Sequence, residues 1–171
     1  MFSVMGRMLT PYLRTLFTGK IKATNESINE RKKSMGLSVY LVFNDGKTEN
    51  AIEHYKNAFQ TAPPHIQRFN EMPGYEKHTP AGYETRILHA TLEIFGDTVM
   101  FSDTLPGQEH TVGNNVTIAA KHSDALKIQH AFKTLAENGE IIMELQATPW
   151  SKLYGQVVDQ YGVLWQFNQE V

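Results

Sequence analysis

The chain alternates between short β-rich runs and helical stripes. Ser38 to Asn44 (SVYLVFN) is rich in β-branched and aromatic residues and predicts a strand, ended by Asp45-Gly46. Thr48 is placed to N-cap a helix. Ala51, Ile52, Tyr55, Ala58 and Phe59 then recur at helical spacing, and Pro63-Pro64 stops the run. His65 to Glu71 reads as a second strand. Met72 to Tyr83 holds Pro73-Gly74 and Pro80-Ala81-Gly82, a loop signature. Thr85 to Ile94 alternates between two faces, as a half-buried strand does. Gly96-Asp97 is expected to turn the chain, Thr98 to Ser102 to pair back, and Pro106-Gly107 to open a loop.

The same order then returns. Asn115 to Ala120 predicts a strand, and Ser123 caps a helix with Asp124 in its first turn, where the macrodipole favours an anion. Ala125, Ile128, Phe132 and Leu135 form its apolar face, and Asn138-Gly139 closes it. Ile141 to Leu145, Lys152 to Asp159 and Val163 to Asn168 read as strands, the last two joined at Gln160-Tyr161-Gly162. The fold class is therefore α+β, with the order β-α-β-β-β met twice. One helix covers one face of each small sheet. The other faces are free to curve around a cavity.

Composition narrows the function. Apolar residues make up 41 % of 171 residues, as in ordinary globular proteins. There is no cysteine, so no disulfide scaffold, thiolate metal site or cysteine nucleophile. A cytoplasmic location is expected. No apolar run approaches the ~20 residues of a membrane helix. The net charge of −2 is uneven: residues 1–34 carry seven Lys/Arg and two acids, so the rest is acidic and unsuited to a nucleic-acid backbone. Leu9, Tyr12, Leu13, Leu16 and Phe17 could form a targeting helix. Residues 1–34 are nevertheless expected to be disordered or not native to the domain, with translation starting at Met35, and residues 35–171 to be the domain.

Several segments in order resemble one family: Tyr40-Leu41-Val42-Phe43-Asn44; Ala51-Ile52-x-x-Tyr55-x-x-Ala58-Phe59; Met72-Pro73-Gly74; Ile87-Leu88-His89-Ala90-x-Leu92-x-Ile94; Val99-Met100-x-Ser102-Asp103 with Pro106-Gly107; and Trp150-x-x-x-x-Gly155-x-x-x-Asp159-x-x-Gly162-Val163-x-Trp165. Together they resemble the PhnB-like branch of the glyoxalase / bleomycin-resistance / dioxygenase (vicinal oxygen chelate) superfamily. The resemblance implies two βαβββ modules forming a cupped mixed sheet, and a homodimer. Some members of the branch are labelled ubiquinone-pathway methyltransferases. A methyl donor normally needs a glycine-rich turn between strand and helix, and this chain offers only Asn44-Asp45-Gly46.

Metal-dependent relatives hold their ion with His, Glu or Gln on the first, fourth, fifth and eighth strands. Those positions fall here on Tyr40, Phe101 or Ser102, Asn115 and Gln166, a poor set for a cation that wants imidazole or carboxylate. No metal or cofactor is expected. The candidate ligand-binding residues are Tyr40, His89, Ser102, Asn115 and Gln166. His89 is either a buried histidine satisfied across the sheet or a group that contacts ligand. Asp103 and Asp159 read as turn devices, Trp150 as a packing or interface residue and Trp165 as core. The expected function is a dimeric small-molecule-binding protein. The alternatives are a metal-dependent isomerase, lyase or dioxygenase of the same superfamily, and an interaction domain with a filled core.

Overall fold

The computed structural model describes residues 36–77, 79–105 and 107–170, so the expectations for residues 1–34 lie outside it. The elements fall within one unit, Ser38–Val171. Their order is β1 (Val39–Phe43), α1 (Thr48–Phe59), β2 (His65–Arg68), two short 3-10 turns (Phe69–Glu71 and Tyr75–Lys77), β3 (Ile87–Ile94), β4 (Asp97–Asp103), β5 (Ile118–His122), α2 (Ala125–Ala136), β6 (Glu140–Thr148), β7 (Ser151–Val158) and β8 (Leu164–Gln169). The strands form two four-stranded mixed sheets of matching order, β1-β4-β3-β2 and β5-β8-β7-β6. In each sheet the first strand runs parallel to the last and the other pairs are antiparallel. This is the expected α+β arrangement of two βαβββ modules.

The apolar stripes position the helices. Ala51, Ile52, Tyr55, Ala58 and Phe59 of α1 are buried, as are Ile128, Ala131, Phe132 and Leu135 of α2. Helix α1 lies on β3 and β4, helix α2 on β5 to β8, and the helices pack on each other. Trp165 is fully buried, its ring 5.4 Å from Tyr55 and 5.2 Å from Phe59. Gly155 is required by close approach. A Cβ there would stand 2.9 Å from Leu145 Cδ2 and 3.0 Å from Phe132 Cε2.

The modules obey an approximate twofold relation. Thr104 N–H donates to Phe43 O beyond the β1–β4 ladder, and Glu170 N–H donates to His122 O beyond the β5–β8 ladder. The tip of each module's last hairpin covers the end of the other module's first strand. Tyr161, on the β7–β8 turn, meets Phe43 edge-on at 5.6 Å. Phe95, on the β3–β4 turn, meets His122 at 4.7 Å.

Several boundaries differ from expectation, each for a physical reason. The β3–β4 turn is Phe95-Gly96 rather than Gly96-Asp97. Both residues have positive φ (51° and 94°), as the tight hairpin turn demands. Phe95 is held there by its ring, perpendicular to Phe59 at 5.1 Å. Lys47, not Thr48, is the N-cap residue of α1, because the Thr48 hydroxyl donates to Asp103 instead. Asp124, not Ser123, caps α2, accepting from Leu126 N–H at 2.9 Å. Strand β2 stops at Arg68, where a bulge leads into a 3-10 turn.

One buried carboxylate joins the modules. Asp159 Oδ2 accepts from the Tyr55 hydroxyl at 2.7 Å and Trp165 Nε1 at 2.9 Å, while Oδ1 accepts from the backbone N–H of Tyr161 (2.8 Å) and Val163 (3.1 Å). Burial, then the Asp159 charge, holds the Tyr55 hydroxyl well above its usual pKa, so it stays a donor. Tyr55→Phe should therefore cost about 1–3 kcal/mol in urea unfolding, because a buried carboxylate oxygen loses one of its two donors. An unchanged unfolding midpoint would contradict the role given to Asp159. Beside this node, His54 Nε2 is buried without a hydrogen-bond partner among the described residues. Burial lowers the His54 pKa, opposed by the Asp159 and Glu137 charges. The unfolded chain thus binds a proton more readily than the fold does. Stability should be full above the usual histidine pKa of ~6.5 and fall below it. Thermal melts across that range should show the slope, and His54→Leu should flatten it.

Candidate functional site

Strand alternation leaves each sheet a face turned away from its helix. On the first sheet, Tyr40, Met100 and Thr91 lie side by side in one row. In the next row Val42 lies beside Ser102, and continuing the Ala90–Phe101 register brings His89 beside Ser102. The Tyr40 hydroxyl reaches between the rows to His89 Nδ1 at 3.3 Å, so His89 has a partner across the sheet and is still half-exposed. Tyr40 itself is 44 % exposed. The structure thus brings Tyr40, His89 and Ser102 into one patch. At the fourth-strand position Ser102 takes the open face, while Phe101 is fully buried.

Gln166 lies on the open face of the second sheet, in the row Ala119, Gln166, Gln156 and Met143. Gln156 Nε2 donates to the Tyr154 hydroxyl at 2.7 Å, which in turn donates to Gln166 Oε1 at 3.0 Å. No hydrogen bond joins this chain to the Tyr40 patch among the described residues. Asn115 does not belong to a strand. β5 begins at Ile118 because its partner β8 begins at Leu164, and Asn115 sits exposed in the preceding loop.

Between the sheets, the free edge of β1 faces the segment entering β5. No ladder joins the two edges among the described residues. A slot of about 460 Å³ opens there, lined by Ser38 to Phe43, by the loop through Val112 and Val116, and by Tyr161 to Leu164. Gly162 (φ 84°) lets the hairpin tip meet this loop, since a Cβ there would stand 2.8 Å from Val112 Cγ1. His110 Nε2 lies 3.0 Å from Val42 O, where it donates as the Nε2–H tautomer. A smaller hollow continues at the other end past Val39 and Ile118 to Lys121 and Phe95.

Asp103 is buried at the start of α1. Its Oδ1 accepts from the Thr48 hydroxyl at 2.7 Å and Thr48 N–H at 3.4 Å, and its Oδ2 from Ile87 N–H at 2.8 Å. It braces the helix start and β3 together. Beside it, Arg68 is paired with Glu49, which holds the Glu49 carboxyl below its usual pKa.

The chain's residues 35–168 match the model of the 3-demethylubiquinone-9 3-methyltransferase family. The chain belongs to that family. The PhnB-like family has relatives in several bacteria. Protein YjdN of Escherichia coli K12 is 31 % identical over 141 residues, covering 78 % of this chain and 95 % of that protein. The Mycobacterium bovis protein Mb0911c is 31 % identical over 144 residues, covering 79 % and 83 %. Among solved structures, PA1353 of Pseudomonas aeruginosa matches with TM-score 0.69 and 27 % identity, covering 80 % of this chain and 98 % of that one. The PhnB protein of Bacillus cereus matches with TM-score 0.61 and 25 % identity, covering 80 % and 100 %. FosX of Listeria monocytogenes, a fosfomycin resistance protein, shares the fold at TM-score 0.51 and 13 % identity, covering 81 % and 94 %. The fold is that of the vicinal oxygen chelate superfamily.

Two groups that these relationships imply do not fit the residues present. A methyl donor's anionic end would sit at a helix N-terminus after a strand. At α1 that place is filled by the Asp103 carboxylate. A divalent metal wants convergent imidazoles and carboxylates. The corresponding places hold a phenol, a hydroxyl and an amide, and no three His, Asp or Glu converge among the described residues.

Sequence reasoning missed Tyr154 and Gln156, although both lie on the Gln166 side of an alternating strand that it had located. It also missed the wall of Val112, Val116 and Tyr161, because loops carry no periodicity. Open-face and bracing residues should separate in unfolding experiments. Tyr40→Ala should change stability by less than about 1 kcal/mol, as at other exposed positions. Asp103→Ala should cost about 1–3 kcal/mol by orphaning its donors.

Proposed function

We propose that residues 35–171 form a cytoplasmic, dimeric small-molecule-binding protein without a catalytic metal. The observation that carries this reading is the chemistry of the open faces. Tyr40, His89 and Ser102 on one sheet, and Tyr154, Gln156 and Gln166 on the other, offer phenols, amides, an imidazole and a hydroxyl. Such groups orient an uncharged ligand by hydrogen bonds. The slot beside Tyr40 supplies apolar surface next to them. Dimer formation draws support from β6, the outer strand of its sheet. Ile141 and Ile142 are 41 % and 50 % exposed there, and Trp150 at its end is 67 % exposed. Apolar side chains on an outer strand invite pairing.

Among the described residues no helix is long and apolar enough to cross a membrane. Elemental analysis of the purified protein should find no stoichiometric Mn, Fe, Ni or Zn, and none of these should raise its melting temperature. A screen of uncharged metabolites should contain compounds that do raise it, by preferring the folded state, and Tyr40→Ala with Gln166→Ala should abolish the effect. Light scattering should give twice the chain mass. Stoichiometric metal would instead support a metal-assisted enzyme.

A further inference from the structure

One edge of β1 pairs with β4, and the other edge has no strand partner among the described residues. In a parallel ladder, alternate residues aim both N–H and C=O to the same side. Thr104 N–H donates to Phe43 O, so Val39, Leu41 and Phe43 address β4. Tyr40 and Val42 therefore aim their backbone groups into the slot. One of these is used already, since His110 Nε2–H donates to Val42 O at 3.0 Å. For the Tyr40 N–H and C=O and the Val42 N–H, no hydrogen bond exists among the described residues. Tyr40 and Val42 are exposed, so this unpaired row stands as an open edge, a ready template for pairing with another extended chain. The facing wall is mostly apolar, with Val112, Val116, Ile118, Val163 and Leu164 beside Thr111 and Thr117.

We infer that this edge seats an extended, amide-bearing ligand: a short peptide or peptide-like chain with apolar side groups. The inference rests on the small-molecule reading above and names its ligand class. Successive outward residues on a strand stand ~6.6–6.8 Å apart, the repeat of any extended peptide. A ligand residue opposite Tyr40 exchanges both of its backbone bonds with Tyr40, and the next amide meets Val42 N–H. The ligand's side groups turn toward Val112 and Val116. His110 shows that a donor inside the slot reaches this row at good distance. The slot's volume of about 460 Å³ lies within the ~300–1,000 Å³ of ligand pockets. With only two outward residues, the edge suits a short chain rather than a strand from a second copy.

The test uses the isotope-labelled full chain and the blocked peptide acetyl-Val-Val-Val-N-methylamide. Its addition should shift the amide signals of Tyr40, Val42, Val116 and Ile118. N-methylation of the central valine removes the donor to Tyr40 O and should weaken binding about tenfold. Val42→Pro removes the slot-facing N–H at an edge position where proline is tolerated, and should weaken binding similarly, whereas Val42→Ala should not. Should Val42→Pro fail to fold, the N-methyl comparison decides alone. Equal binding of both peptides, or no shift at these residues, overturns the inference. Signal contacts from residues 1–34 to the Tyr40 amide would overturn it too, by giving the edge to the chain's own leading segment. If amide-free metabolites raise the melting temperature while the peptides do not bind, this inference fails and the proposed function stands. If neither binds, both fail.

Discussion

Everything about the site depends on one buried carboxylate. Asp159 has four donors within 3.1 Å, two from its own hairpin, one from β8 and one from α1 of the other module. A lone buried charge would be costly. A fully bonded one is stable and specific, because each donor must come from one direction. The Tyr55 bond ties the first module's helix to the second module's turn. It places Tyr161 against Phe43, and so sets where β1 lies relative to β8. An apolar contact at this place would let the modules slide. The carboxylate does not.

With the modules so joined, their inner edges meet without pairing. Two sheets of four strands leave β1 and β5 as facing edges, and the geometry that buries both helices holds those edges apart. Helix packing consumes the apolar face of each sheet. The polar open faces and the unpaired edges are what remain. Both are places where backbone or side-chain hydrogen bonds stay available to a ligand. Asp103 contributes by subtraction: its carboxylate occupies the N-terminus of α1, which leaves that helix end no free place for an anion.

Much of this was legible in the sequence. The stripe of α1 named its buried face residue by residue, because a helix against a sheet shows a strong period. That of α2 named Ile128, Phe132 and Leu135, while Ala131 is buried in place of the half-buried Ala125. The alternation in β3 and β8 separated His89 from Ala90 and Gln166 from Trp165. The resemblance to PhnB-like proteins supplied the pairing of modules. What failed was local and depended on partners distant in sequence. Asn115 looked like strand, but a strand needs a neighbour, and β8 begins too late to give one. Thr48 looked like a cap, but Asp103, remote in sequence, claimed its hydroxyl. Phe95 is a poor turn residue by propensity and turns only because Phe59 and His122 hold its ring. Tyr154 joined Gln166 through a cross-strand bond that no single strand reveals.

The two ring contacts at the module junction have a mechanical meaning. Phe43 with Tyr161, and Phe95 with His122, stand at opposite ends of the seam, and both pairs meet ring against ring. They work as spacers whose thickness is that of an aromatic ring, so the gap is gauged by van der Waals radii rather than by bond angles. Aliphatic replacements there would retune the bore of the gap while the helices keep their seats. The width of the seam is thus set by two hinge-free shims, with the framework left untouched.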